Sequence, residues 1–135
     1  MDIEKLAGQF VVDDEFGVDR LGRIIEGLLP YCVINRKGAV EIMQVGLSAK
    51  QKVKLVLAAR LAASKMPGMQ VQAEVTAPEI AEYTGLPQDQ AAARAKDCFD
   101  EKFAERAGRG SYRARQHKID GLLASLGKEV GKGSS

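Results

Sequence analysis

Residues 75–106 read VTAPEIAEYTGLPQDQAAARAKDCFDEKFAER, and the punctuation of this stretch decides the fold. Thr76 followed three residues later by Glu79 is a capping box, in which a hydroxyl and a carboxylate satisfy the exposed backbone donors of a helix start. Pro78 is tolerated in that first turn. Gly85 permits a left-handed turn, Leu86 plugs the angle beyond it, and Pro87 opens a second helix. The spacing predicts a short helix, a tight corner and another helix, with Ala81 small enough to let the two approach closely. On the second helix Ala91, Ala95, Cys98 and Phe99 share an inward stripe, which leaves Gln88, Asp89, Gln90, Ala92, Ala93, Arg94, Lys96 and Asp97 for the outer face.

Upstream, residues 69–75 (MQVQAEV) alternate apolar and polar, the period of a strand with one buried face. Before them Ser48 and Gln51 make another capping box, and Val53, Val56, Leu57 and Leu61 form the inner stripe of a long helix that Pro67 and Gly68 stop. Its Lys50, Lys52, Lys54 and Lys65 need water or an anion. Downstream, residues 102–115 (KFAERAGRGSYRAR) read as two strands around a glycine-rich tip, anchored by Phe103 and Tyr112, with Arg113 and Arg115 on one face. A last helix follows with Ile119, Leu122, Leu123 and Leu126 for packing, and residues 131–135 are expected to be a disordered tail.

At the other end, residues 1–30 predict two short helices around the polar break DDEFG, the second carrying Leu21, Ile24, Ile25, Leu28 and Leu29 and ending at Pro30. YCVINRKGAVEIMQV then predicts a β-hairpin whose loop, Asn35 to Gly38, places glycine where a positive φ is needed. The organisation expected is an N-terminal module over residues 1–47 and a second unit over residues 48–130. A chain of 135 residues with 45% hydrophobic content can bury a core without disulfides or metal. Because only 5% of residues are aromatic and none is Trp, that core must come from Leu, Ile, Val and Ala, which favours a mostly α chain with a small β part, an α+β class.

Cys32 and Cys98 lie far apart and there is a single His, so neither a zinc site nor a disulfide framework is expected, and two reduced thiols are. The lack of an apolar run of about twenty residues and the acidic N-terminus point to a cytoplasmic protein with no membrane partner. The net charge of +2 matters less than its distribution. Residues 48–66 carry five bases and no acid, and Arg106, Arg109, Arg113, Arg115 and Lys118 cluster later with few acids among them.

Taken in order, residues 48–115 predict helix, strand, helix, turn, helix, strand, glycine-rich tip and strand. This resembles the winged helix-turn-helix superfamily of DNA-binding proteins, and TAPEIAEYTGL is similar to the usual opening of its motif. The resemblance covers about residues 48–126. It implies a winged helix extended at the N-terminus by helices and a hairpin, with the third helix in the major groove of double-stranded DNA. On these residues, Gln88 and Gln90 would read adenine, Ala92 or Ala93 would pack a thymine methyl, and Arg94 would reach guanine or a phosphate, with Lys96 beside it. Arg106, Arg109, Arg113 and Arg115 would be the wing's phosphate contacts. The mixed charge of the third helix implies that affinity is delegated to this arginine hairpin.

The function expected is that of a small transcriptional regulator, and the alternative is a protein-interaction or assembly module on the same scaffold without physiological DNA binding. Catalysis is not expected: His117 sits at a strand-to-helix junction without a nucleophile or acid placed for it, and the Gly-Arg-Gly run lacks the rest of a phosphate-cradling loop. No cofactor is expected. Leu21, Ile24, Ile25, Leu28 and the hairpin's apolar face exceed what a small module needs, which makes residues 1–47 a dimerisation element and a homodimer the expected assembly.

Overall fold

A computed structural model of the chain describes residues 2–10 and 17–133. Most of the polar break expected between the first two helices lies outside the described residues. Helices α1 (Ile3–Phe10) and α2 (Val18–Leu28) come first, then strands β1 (Cys32–Ile34) and β2 (Val40–Ile42), and the long helix α3 (Ala49–Ser64). Strand β3 (Val75–Thr76) leads into α4 (Ala77–Thr84) and α5 (Gln88–Asp100). Strands β4 (Ala104–Gly108) and β5 (Ser111–Ala114), a 3-10 turn at Gln116–Lys118 and α6 (Ile119–Gly133) complete the chain. The structure is mixed, with helices dominating two small antiparallel sheets. Among the described residues no helix is long and apolar enough to cross a membrane.

Helix α3 is the axis of the fold. Its start is fixed by the expected box: Ser48 Oγ accepts from the Gln51 backbone N–H at 3.1 Å, and Gln51 Oε1 accepts from the Ser48 N–H at 2.8 Å. Such a cap contributes about 1 kcal/mol. The expected stripe of Val53, Val56, Leu57 and Leu61 is buried, but so are Leu55, Ala58, Ala59, Ala62 and Ala63. A helix buried all round needs neighbours all round. One flank meets α2 and the β1–β2 hairpin, and the other meets α4, α5 and β5. Ile24, Leu28, Tyr31, Cys32 and Val40 therefore share a hydrophobic core with Ile80, Ala95, Tyr112 and Leu126. Ile24 and Leu28, assigned above to a dimer face, are spent inside the chain's own core.

The β1–β2 loop closes as expected. Asn35 Oδ1 accepts from the Lys37 and Ala39 backbone N–H groups at 2.9 and 3.0 Å. Gly38 has φ of +90°, and a Cβ there would lie 3.2 Å from both Arg60 Nε and Val71 Cγ1. Conformation and close approach both require glycine at this position.

The corner between α4 and α5 is built as the sequence predicts. Both halves of the Thr76–Glu79 capping box are formed, and Gly85 closes α4 in the left-handed region at φ +75° with its N–H bonded to the Ala81 carbonyl at 2.9 Å. A Cβ on Gly85 would meet nothing within 4 Å, so the cost of any side chain there is purely conformational. Gly85→Ala is expected to lower stability by about 1–2 kcal/mol, and Gly85→Asn by less because Asn tolerates this region. Equal losses in urea melts of the two variants would refute the conformational account. Past the corner Ala91, Ala95 and Cys98 are fully buried, and their small volumes bring α5 close against α3 and α4.

The three-stranded sheet has the order β3-β5-β4, all antiparallel, with Val75 opposite Tyr112 and Glu105 opposite Arg113. Of the strand expected over residues 69–75 only Val75 joins it, paired together with the cap residue Thr76 that follows. The alternation still governs burial, since Ala73 and Val75 are inside and Gln70 and Gln72 outside. What replaces the ladder is Arg60, a buried arginine on α3. Its Nε donates to the Gln72 carbonyl at 2.9 Å, Nη2 to the Glu74 carbonyl at 3.2 Å, and Nη1 to the Gly38 carbonyl at 3.2 Å and to Glu79 Oε2 at 3.1 Å. One side chain thus ties the hairpin loop, the extended segment and the start of α4 to the central helix. At the far end α6 continues through residues 131–133, into the stretch expected to be a tail.

Burial raises the Glu79 carboxyl, but the Thr76 backbone N–H, the Arg60 guanidinium and the Thr76 hydroxyl outweigh it, and the net shift is downward. A carboxylate with a lowered folded value contributes stability above its unfolded value of about 4.3 and loses it as pH falls through the folded value. Urea midpoints measured from pH 6 down to pH 2 should fall less steeply for Glu79→Gln than for the parent chain. Parallel curves would remove Glu79 from the acid response.

Candidate nucleic-acid interface

The face opposite the stripe of Ala91, Ala95 and Cys98 carries the side chains singled out on the second helix of the pair. Gln88 and Gln90 are exposed in the first turn of α5, Ala93 and Lys96 are exposed further along, and Ala92 is half-buried. Arg94 is half-buried, with Nε 2.9 Å from Asp97 Oδ2 in an i,i+3 ion pair whose angle makes no hydrogen bond. Both side chains are about two-fifths exposed, so this pair is weak and a stronger anion can displace it.

The acids of α5 are partly neutralised within the chain. Glu101, at the end of the helix, accepts from Lys50 Nζ at 2.6 Å and from Lys54 Nζ at 3.3 Å. The Lys50 hydrogen bond holds the Glu101 carboxyl below its ordinary value, and the same bond raises Lys50. Lys54 also lies 5.3 Å from the centre of the Phe103 ring. Two lysines of the basic helix therefore find their anion internally. Asp97 is taken by Arg94, and Asp89 and Asp100 stand exposed.

The four arginines of the β4–β5 hairpin have three different fates. Arg109 is exposed at the tip between Gly108 and Gly110. Arg106, also exposed, lies over the Phe99 ring of α5 at 5.0 Å, which joins the hairpin to the helix by a cation–π contact. Arg113 is occupied: Nε and Nη2 donate to Glu105 Oε1 at 3.0 and 2.7 Å, and Nη1 donates to Glu74 Oε1 at 2.9 Å. The Glu105 bond comes first in raising the Arg113 guanidinium further above its ordinary value. With two carboxylates on one cation, this trio presents a net single negative charge, and Arg113, expected to contact phosphate, is held in an internal clamp. Arg115 lies at the base of the hairpin, its backbone N–H bonded to the Phe103 carbonyl at 2.8 Å, about 15–20 Å along the strand from the tip. It lines a separate cleft with Lys65 and His117.

Gln88, Gln90, Arg94 and Lys96 thus lie on the outer side of α5, Arg106 joins the hairpin to that helix through Phe99, Arg109 is exposed at the tip, Arg113 is held by carboxylates, and Arg115 lines a different cleft. The clamp was detectable in principle. Once Gly108–Gly110 is taken as the tip, the antiparallel register sets Glu105 opposite Arg113, and opposite charges facing one another across a pair of strands attract. Glu74 carries no such signal, because its approach depends on β3 pairing with β5 from a distant part of the chain.

Burial pushes the Cys32 thiol up to about 11 and the Cys98 thiol up to about 12, so both stay protonated at neutral pH. His117 is exposed on the 3-10 turn. No family model, no curated protein and no solved structure matches the chain.

Proposed function

We propose that residues 48–126 are a winged helix-turn-helix domain that binds double-stranded DNA in a sequence-dependent way, as a small transcriptional regulator does. The observation that carries this reading is Arg106 stacked on Phe99, which sets a hairpin of exposed arginines against the helix that follows a glycine corner. The strand order β3-β5-β4 agrees with it, since the hairpin after α5 folds back beside the strand before α4. In this reading Gln88 and Gln90 contact base edges from the first turn of α5, Ala93 meets a thymine methyl, and Arg94 exchanges Asp97 for guanine or a phosphate. Lys96, Arg106 and Arg109 supply phosphate contacts and the salt dependence that accompanies them. Neutralising Glu101 by two lysines reduces the repulsion that the acids of α5 set against such a contact.

Selection of bound duplexes from a random 20-base-pair pool tests the proposal. Enrichment of a common sequence supports it, and a palindrome adds two-fold symmetry to the bound form. No retention of any duplex in 20 mM salt would end it.

A second reading, a protein-assembly module, is favoured by one surface. An apolar groove of about 230 Å³ runs between α2, β1 and α3, lined by Ile25, Leu29, Val33, Ile34 and Met66 among others, and Leu29 and Val33 are exposed. Light scattering at low and high protein concentration separates a self-associating chain from a monomer.

A further inference from the structure

A second cleft, of about 600 Å³, opens on the sheet face that bears Glu105 and Arg113. Its walls are the end of α3 with Ser64 and Lys65, the extended segment Val71–Glu74, and the β5 exit from Arg113 to His117. That volume lies within the range of small-molecule sites, roughly 300–1,000 Å³. Polar groups converge there from all three walls, and the cleft belongs neither to the exposed face of α5 nor to the hairpin tip.

Arg115 distinguishes this cleft from an ordinary surface depression. Its side chain is half-buried and makes no hydrogen bond or ion pair among the described residues, and its Nε is shut off from solvent with no acceptor. Taking a cation part-way out of water without a counter-charge is unfavourable, whereas Arg113, two residues earlier on the same face, has two carboxylates. Lys65, exposed at the end of α3, lines the same cleft. Arg115 and Lys65 together exceed the single net negative charge of the Glu74–Arg113–Glu105 trio, so the cleft favours an anion. The side chains of Gln72 and His117 also line the cleft and add polar groups for the rest of a ligand.

We infer that this cleft binds a small organic oxyanion, a phosphate ester or a carboxylate, through the guanidinium of Arg115 and the ammonium of Lys65. The planar guanidinium matches either oxyanion, and the lysine adds a point charge from the end of α3. A ligand held there ties the end of α3, the segment leading into α4 and the strand that returns from the hairpin tip.

The full chain, labelled with 15N, is titrated with glycerol 3-phosphate and with citrate, against sodium chloride at matched ionic strength. The expected result is a saturable shift of the Lys65, Gln72, Arg115 and His117 amides by at least one of the two anions and not by chloride. Arg115→Gln should weaken that binding at least tenfold and Lys65→Ala several-fold, while Arg109→Ala leaves it unchanged. Should Arg115→Gln lose its amide dispersion, Lys65→Ala, at an exposed position, carries the test alone. Shifts that stay linear, or saturable binding that survives the Arg115 and Lys65 changes, overturn the inference. A 20-base-pair duplex added afterwards identifies the source of the oxyanion: a bound anion that stays in place supports the small ligand, and one displaced from the same four amides assigns the cleft to a nucleic-acid backbone and overturns it.

Discussion

Arg60→Met is expected to lower the stability of the fold by about 3–5 kcal/mol, the range for removing one partner of a buried charge network. Arg60 is only 6% exposed and donates to three backbone carbonyls and one carboxylate. Methionine fills much of the volume but leaves the carbonyls of Gly38, Gln72 and Glu74 without this donor, and a buried acceptor left unpaired costs about 1–3 kcal/mol. Glu79 loses its cation at the same stroke. Against a total of about 5–15 kcal/mol for a domain, the loss is large enough to move a urea midpoint by about 2 M. Arg60→Lys should recover only part of it, because a single ammonium cannot reach acceptors spread over three segments. A midpoint shift below about 0.5 M for Arg60→Met would mean that water replaces the guanidinium and that the tie is not structural.

The other large effect is on DNA affinity, given the proposed function. If Arg106 and Arg109 each neutralise one phosphate, changing both to Ala reduces the magnitude of the log K against log salt slope by about 1.8. The same experiment on Arg113→Ala should leave the slope unchanged, since its guanidinium already holds Glu74 and Glu105. The contrast tests the division of the hairpin arginines directly. A slope reduced by about one in Arg113→Ala would show that the clamp opens on DNA, and no change in the double variant would remove the hairpin tip from the interface.

The elements that the sequence made legible are those whose signal is local. The capping boxes at Ser48 and Thr76, the left-handed Gly85, the Asn35–Gly38 loop and the inward stripe Ala91, Ala95, Cys98 each depend on residues within a few positions of one another. The strand over residues 69–75 was legible as a burial pattern and misleading as a ladder. Its alternation records which side chains face inward, while its hydrogen bonds go to an arginine earlier in the chain. The site followed the same rule: the exposed face of α5 can be read from helical spacing and the Glu105–Arg113 pair from the hairpin register, but the Glu74 contact that completes the clamp and the fate of Arg115 cannot, because they depend on segments the fold brings together from far apart in the chain.

By itself, then, the sequence determined the order of helices and hairpins, the glycine corner and the outward face of α5, because backbone conformation and amphipathic spacing act over a turn or two of chain. Only the tertiary structure decided that α3 is buried on every side, that Arg60 replaces a strand partner, that Arg113 is held by carboxylates while Arg106 and Arg109 stay exposed, and that Arg115 faces a cleft of its own. Those outcomes turn on charges and carbonyls separated by eight to about forty residues of chain. Coulomb attraction and desolvation depend on distance in space, and folding alone sets that distance.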